Sequence, residues 1–335
     1  MAELVAAFGS SHSLMLAATR DDWIANFRKT DPRMPLFDRD GNRRSYDDLL
    51  AAAPRNAETV VTPEKLGAAY DRTFATIAEL KRQIQAADLD ALIIVGDDQH
   101  ELFQDAMMPS LAIYYGVTIR NAARRGPLPT DWYQRAQLQR LEPETDANYP
   151  VDAPLALHVI EQLSDTGFDV CAIREIRPDQ YEGHAFSYIH RTYLAGRAVP
   201  VIPVLINTYY PPNPIAPKRC IQLGRALHVA IQGFSAQRRV GLLASGGLSH
   251  FVVDEELDIA VLEAIRVHDL DYLASLDPKR LQAGSSEIRS WICAAAACAS
   301  ARLKLKWMDY IAAYRTPALT GIGLGFARWG KGNEA

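Results

Sequence analysis

The chain has 335 residues, of which 48% are hydrophobic and 23% charged, the balance of a globular protein with a substantial core. A formal charge of −4 gives no long-range attraction to nucleic acid or an anionic membrane surface, and no uninterrupted apolar run is long enough to span a bilayer. The four cysteines form no CxxC pair and fit buried thiols in a reducing compartment, and the N-terminus lacks a basic leader, so a cytoplasmic location is expected.

In chain order, Leu4-Val5-Ala6-Ala7-Phe8-Gly9 reads as a buried strand that delivers Ser10-Ser11-His12 at its end. The stretch from about 15 to 60 is charged and broken by Pro32, Pro35 and Gly41, with Ser45 placed to start a helix; a helical insertion or lid is expected. Apolar spacing at Leu66, Ala69, Tyr70, Phe74, Ile77, Leu80 and Ile84 predicts a helix over 62–87, with Thr62 as its cap. Residues 90–96 are apolar after the first and predict a central strand covered on both faces. A helix over 153–166 and a strand over 168–173 follow. The prolines within 198–207 place that strand at an edge or make it irregular. A helix over 218–234, a strand over 240–245 and an Ala-rich helix over 287–313 complete the pattern, and the glycines from 321 to 332 suggest an irregular tail. Strands alternating with amphipathic helices argue for an α/β fold: a single three-layer sandwich whose mixed central sheet has helices on both faces, one domain over the whole chain.

Four polar clusters stand close to the ends of apolar runs: Ser10-Ser11-His12, Asp97-Asp98-Gln99-His100-Glu101, Gly183-His184 and Ser245-Gly246-Gly247-Leu248-Ser249-His250. The crevice beyond strand carboxyl ends is where open α/β sheets bind ligands. Taken singly, His12 or His184 is more often a hydrogen-bonded structural residue, and Asp97 or Asp98 more often a helix cap. Ser249-His250 without a GxSxG elbow gives no serine hydrolase. Together, imidazoles and carboxylates in one crevice suit a divalent transition metal with open positions.

In this order the clusters resemble the class III extradiol dioxygenases, the family of the catalytic beta subunit of protocatechuate 4,5-dioxygenase. The resemblance covers most of the chain outside about 15–60. It rests on Ser10-Ser11-His12, on the proline-rich Val201-Ile202-Pro203 through Pro211-Pro212 leading to Lys218-Arg219, on the GGxSH motif ending at His250, and on Ser286-Glu287 ahead of Trp291. It implies iron(II) ligated by His12 and Glu287, His250 as acid/base, and His184 touching substrate. The family's second iron-ligating His follows an Asn-Asp pair; here Gln99 stands in that place and His100 one residue later, so the resemblance leaves the third ligand as Gln99 or His100. The Asp97-Asp98-Gln99 variant is similar to the 3-O-methylgallate dioxygenase-like branch. Tyr209, Tyr210, Lys218 and Arg219 are candidates to shape the pocket or meet a substrate carboxylate.

The implied activity is O2-dependent opening of a catechol- or gallate-type ring to a muconate semialdehyde or lactone. Its partners would be a small aromatic diol and O2, with no nucleic acid or membrane, in a homodimer. Two alternatives use the same residues: a divalent-metal hydrolase with metal-bound water as nucleophile, and a non-catalytic relative that has lost iron.

Overall fold

A computed structural model describes residues 1–121, 123, 126–141, 145–177 and 180–332. Nine described strands build one mixed sheet: β1 (Ala2–Ser10), β2 (Ala91–Gly96), β3 (Leu111–Tyr114), β4 (Cys171–Ile173), β5 (Val201–Ile206), β6 (Arg238–Ser245), β7 (His250–Val252), β8 (Lys304–Tyr314) and β9 (Thr320–Gly330). β1, β6, β2 and β5 lie side by side and parallel. β3 runs antiparallel to β5 and parallel to β4, while β9 runs antiparallel to β1, β7 and β8.

The apolar run of β2 is buried on both faces as its sequence requires. Ile93 and Val95 join one core with Leu4, Ala7 and the helices α2 (Ala153–Asp165), α4 (Pro217–Gly233), α5 (Glu255–Val267) and α6 (Ile288–Ala301). Leu92 and Ile94 join the opposite core with Phe8, α1 (Pro63–Ala86) and α3 (His184–Thr192). The three-layer expectation therefore holds. Thr62 caps α1 by accepting from the Lys65 N–H. No described helix is long and apolar enough to cross a membrane.

The stretch from 15 to 60 folds as short helical pieces and a small hairpin, Leu36–Phe37 against Arg43–Arg44. Trp23 and Phe27 anchor it in the second core, and a capping box between Ser45 and Asp48 starts the helix Tyr46–Ala52.

Three expectations change. β5 is an interior strand rather than an edge: Pro203 sits just beyond Val204↔Ile113, the last register pair with β3, so its missing N–H falls where that ladder stops. The helix predicted over 287–313 ends at Ala301, where Arg302 turns left-handed (φ 56°), and β8 follows. The glycine-rich segment is no tail but β9, between β1 and β8. A Cβ on Gly323 would stand 1.9 Å from Asp258 Oδ2, so its glycine serves close packing.

Candidate metal centre

Four buried side chains from four segments converge. His12 lies two residues past β1, Asp97 one residue past β2, His184 opens α3, and Glu287 immediately precedes α6. One ligand-capable atom of each lies within 4.8 Å of the other three. His12 Nε2 is 3.7 Å from Asp97 Oδ1 and 3.6 Å from Glu287 Oε2, and His184 Nε2 is 3.6 Å from Asp97 Oδ1. The parallel order of β1, β6 and β2 brings these strand ends to one crevice.

The two histidines are held by bonds on their far sides, and Glu287 by one to the oxygen that faces His12. His12 Nδ1 donates to Ser245 Oγ (2.9 Å), whose hydroxyl donates to Ala185 O (2.7 Å), so the proton sits on Nδ1 and bare Nε2 faces inward. The backbone N–H and Nδ1 of His184 both donate to Glu101 Oε1 (3.1 and 2.6 Å), while Glu101 Oε2 accepts from Gln99 N (2.9 Å). Gly183, with φ 85°, provides the turn into α3. Glu287 Oε2 accepts from Gly247 N at 2.6 Å, and Trp291 Nε1 donates to Gly246 O at 2.8 Å, tying α6 to the Gly246-Gly247 loop. Buried Arg289 donates to Ile215 O (2.7 Å), Thr208 O (3.2 Å) and Leu281 O (2.7 Å), locking the proline-rich loop beside the same helix.

Burial lowers the His12 imidazole pKa and keeps the ring neutral, as a ligand must be. Burial also pushes the Asp97 carboxyl up, against the pull of His184. Burial would raise Glu287 too, but the His250 and His12 imidazoles hold it well below the usual carboxylate range. His12 Nε2 and Asp97 Oδ1 are buried without a hydrogen-bond partner. Two bare donor atoms aimed at one point are costly unless a cation takes them. Ligands about 2.0–2.2 Å from a shared ion stand roughly 3–4 Å apart, so this nitrogen and oxygen set fits a divalent transition metal.

Beside the cluster opens a cavity of about 460 Å³ whose lining includes His12, Gln99, Tyr209, His250, Glu287 and Arg315. His250 Nδ1 donates to Leu248 O (3.0 Å), leaving Nε2 bare, 3.7 Å from Glu287 Oε2. Gly247 and Gly284 make its room, since a Cβ on either would fall 2.4 Å from the nearest His250 side-chain atom. Tyr209 has its phenol pKa raised by burial and by the Glu287 and Asp97 charges, so it stays a proton donor.

Of the residues predicted from sequence, the cluster unites His12, Glu287 and His184. Gln99 lines the cavity and its Nε2 donates to Asp97 Oδ2 at 3.2 Å. His100, at φ 65°, stacks on Tyr210 (centroids 3.9 Å apart) with Nε2 3.1 Å from Asp105 Oδ1. Arg219 lies over the Phe168 ring and donates to Gly167 O; neither it nor Lys218 lines this cavity. No helix follows Asp97-Asp98, so neither caps one; Asp98 instead ties down the loop, accepting from the N–H groups of Leu102 (2.8 Å) and Phe103 (3.2 Å). The sequence reading missed Asp97 as a ligand candidate, Glu101 as the anchor of His184, and Arg315. An acid directly after β2's last glycine, and another two positions beyond Gln99, were visible, but nothing local told their roles apart.

The family model for the catalytic LigB subunit of aromatic ring-opening dioxygenase matches residues 59–325. The chain belongs to that family. Asp97, His184, His250 and Glu287 lie inside the stretch matched to the LigB family, whereas His12 and residues 15–58 precede it. No curated protein matches the chain. Among solved structures, an uncharacterized protein from Escherichia coli K12, JW3007, is similar with 12% identity over 75% of this chain and 91% of that one, at a TM-score of 0.43.

Proposed function

We propose that this member of the LigB family is an iron(II)-dependent extradiol dioxygenase acting on a catechol- or gallate-type ring. His12, His184, Asp97 and Glu287 would hold the metal, with the cavity at its open side. The observation that carries this reading is the pair of buried, bare donors, His12 Nε2 and Asp97 Oδ1, facing the Glu287 carboxylate at a cavity wall. Iron(II), held by these residues, would supply the redox chemistry for opening a catechol-type ring beside its diol with O2. This donor set replaces the Gln99 or His100 ligand expected from sequence. Gln99 instead braces Asp97, and His100 braces Tyr210.

The chain's own groups do the rest. His250 Nε2, bare because Nδ1 is committed to Leu248 O, accepts the proton of the substrate's second hydroxyl and returns it later. Tyr209, kept protonated, donates to a substrate or dioxygen-derived oxygen. We place this single catalytic domain in the cytoplasm as a homodimer, which fractionation and sedimentation test.

The deciding experiment is anaerobic reconstitution with iron(II), followed by O2 uptake on adding 3,4-dihydroxybenzoate and identification of the product. One iron per chain and a yellow ring-opened product are expected. Retention of zinc alone, with no O2 consumed, would favour the hydrolase; failure to retain any metal would favour a non-catalytic relative.

A further inference from the structure

Among the described residues, the cavity beside the cluster is lined by one carboxylate, two imidazoles, neutral side chains and one guanidinium, that of Arg315. Arg315 follows β8 directly, and its N–H donates to Thr320 O at 2.8 Å, which fixes the backbone in the turn to β9. Its side chain is only 12% exposed. Nε is 3.3 Å from Asp31 Oδ2, and the guanidinium carbon lies 4.9 Å from the centroid of the Phe27 ring. Asp31 is itself buried and accepts from Thr320 Oγ1 at 2.6 Å, so it cannot follow the arginine elsewhere.

Asp31 thus stands beside one edge of the guanidinium, where Nε makes no hydrogen bond, and Phe27 beside one face. Its terminal nitrogens, Nη1 and Nη2, make no hydrogen bond to a described residue, and they belong to a side chain that lines the cavity. A planar fork of donors on a largely buried cation is matched by a carboxylate, which accepts two parallel hydrogen bonds. An anion has no comparable welcome near the cluster, where Asp97 and Glu287 already place two carboxyl groups. The cavity volume, about 460 Å³, falls among the roughly 300–1,000 Å³ of small-molecule sites.

We propose that Arg315 selects the substrate by pairing with an anionic substituent, a carboxylate, on the dihydroxylated ring whose diol faces Glu287 and His250. Phe27 and Asp31 hold it in place, so the insertion that precedes the family match takes part in substrate choice. This inference rests on the ring-opening reading above, but its failure can be told from the failure of that reading.

The test compares 3,4-dihydroxybenzoate with its methyl ester, which has the same ring and no charge. Anaerobic calorimetric titration of the iron-loaded protein measures binding, and O2 uptake measures kcat/KM. The acid is expected to exceed the ester about ten- to a hundredfold in both, the range of a charge-assisted hydrogen-bonded pair. Arg315→Met should bring the acid-to-ester ratio close to unity, and Arg315→Lys, which keeps the charge but loses the fork, should leave an intermediate ratio. The ratio is the readout, because a purely structural role would lower acid and ester together. If the wild type handles acid and ester alike, or if Arg315→Met keeps the preference, this inference falls while ring opening stands. Should neither compound bind or be opened, the ring-opening reading falls and takes this inference with it.

Discussion

At the scale of single residues, His12, Asp97, His184 and Glu287 differ in what holds them, and so in what their loss does. Glu287→Ala removes an inward carboxylate and should abolish metal retention, measured as iron per chain after anaerobic reconstitution. Asp97→Ala and His184→Ala should lose metal likewise, whereas His100→Ala, whose ring stacks on Tyr210, should retain it. Metal retention by Asp97→Ala together with loss in His100→Ala would restore the ligand expected from sequence. Glu101→Gln keeps the size of the His184 anchor but weakens its acceptor, so metal affinity should fall about 10–100-fold with the fold intact. His250 contributes chemistry rather than affinity. Its replacement by Phe should keep iron and cost about 10²–10⁴ in kcat.

At the scale of elements, glycines and buried acids decide packing. Gly323→Ala would push a methyl group onto Asp258 Oδ2 and should destabilise the protein by about 1–3 kcal/mol, read from urea unfolding. Asp258 also gives a pH signature. Burial raises its carboxyl from 3.8 to about 6, despite bonds from Ser249 and Tyr310. A folded-state pKa above the unfolded one contributes stability that is full below about 4 and lost as pH rises through about 6. The wild type minus Asp258→Asn difference in unfolding free energy should therefore decline over that window; a flat difference would contradict it. The same elements show what a sequence conveys. Strands β2 and β6 and helices α1, α2 and α4 were legible because their apolar patterns were long and their breaks marked. β9 was not, because its glycines answer to Asp258 and Trp291, neighbours distant in sequence. β5 looked like an edge because a proline's cost depends on which neighbour its N–H would have faced. In the site, His12, His250 and Glu287 were marked by recognisable motifs. Asp97 and Arg315 were not, since only the assembled fold shows which way each side chain is turned.

At the scale of the whole molecule, the cluster couples folding to metal. Four buried side chains that could hold a metal, two of them acids, are costly to keep together without a cation, so metal binding to the native state should raise its stability by mass action. Dialysis against a chelator should lower Tm, and iron(II) restored without O2 should recover it; about 2.7 kcal/mol is expected at a metal concentration a hundred times Kd. The sheet order adds a consequence in time. β1 is bordered by β6 and β9, so this strand has both its partners among segments synthesised after it. On a ribosome adding roughly 5–20 residues per second, His12 waits on the order of tens of seconds before Glu287 exists. Until then no nascent segment can offer the complete donor set, which shields a redox-active ion from being captured by a half-made chain. Under the proposed function, iron loading becomes a checkpoint passed late in translation or after it.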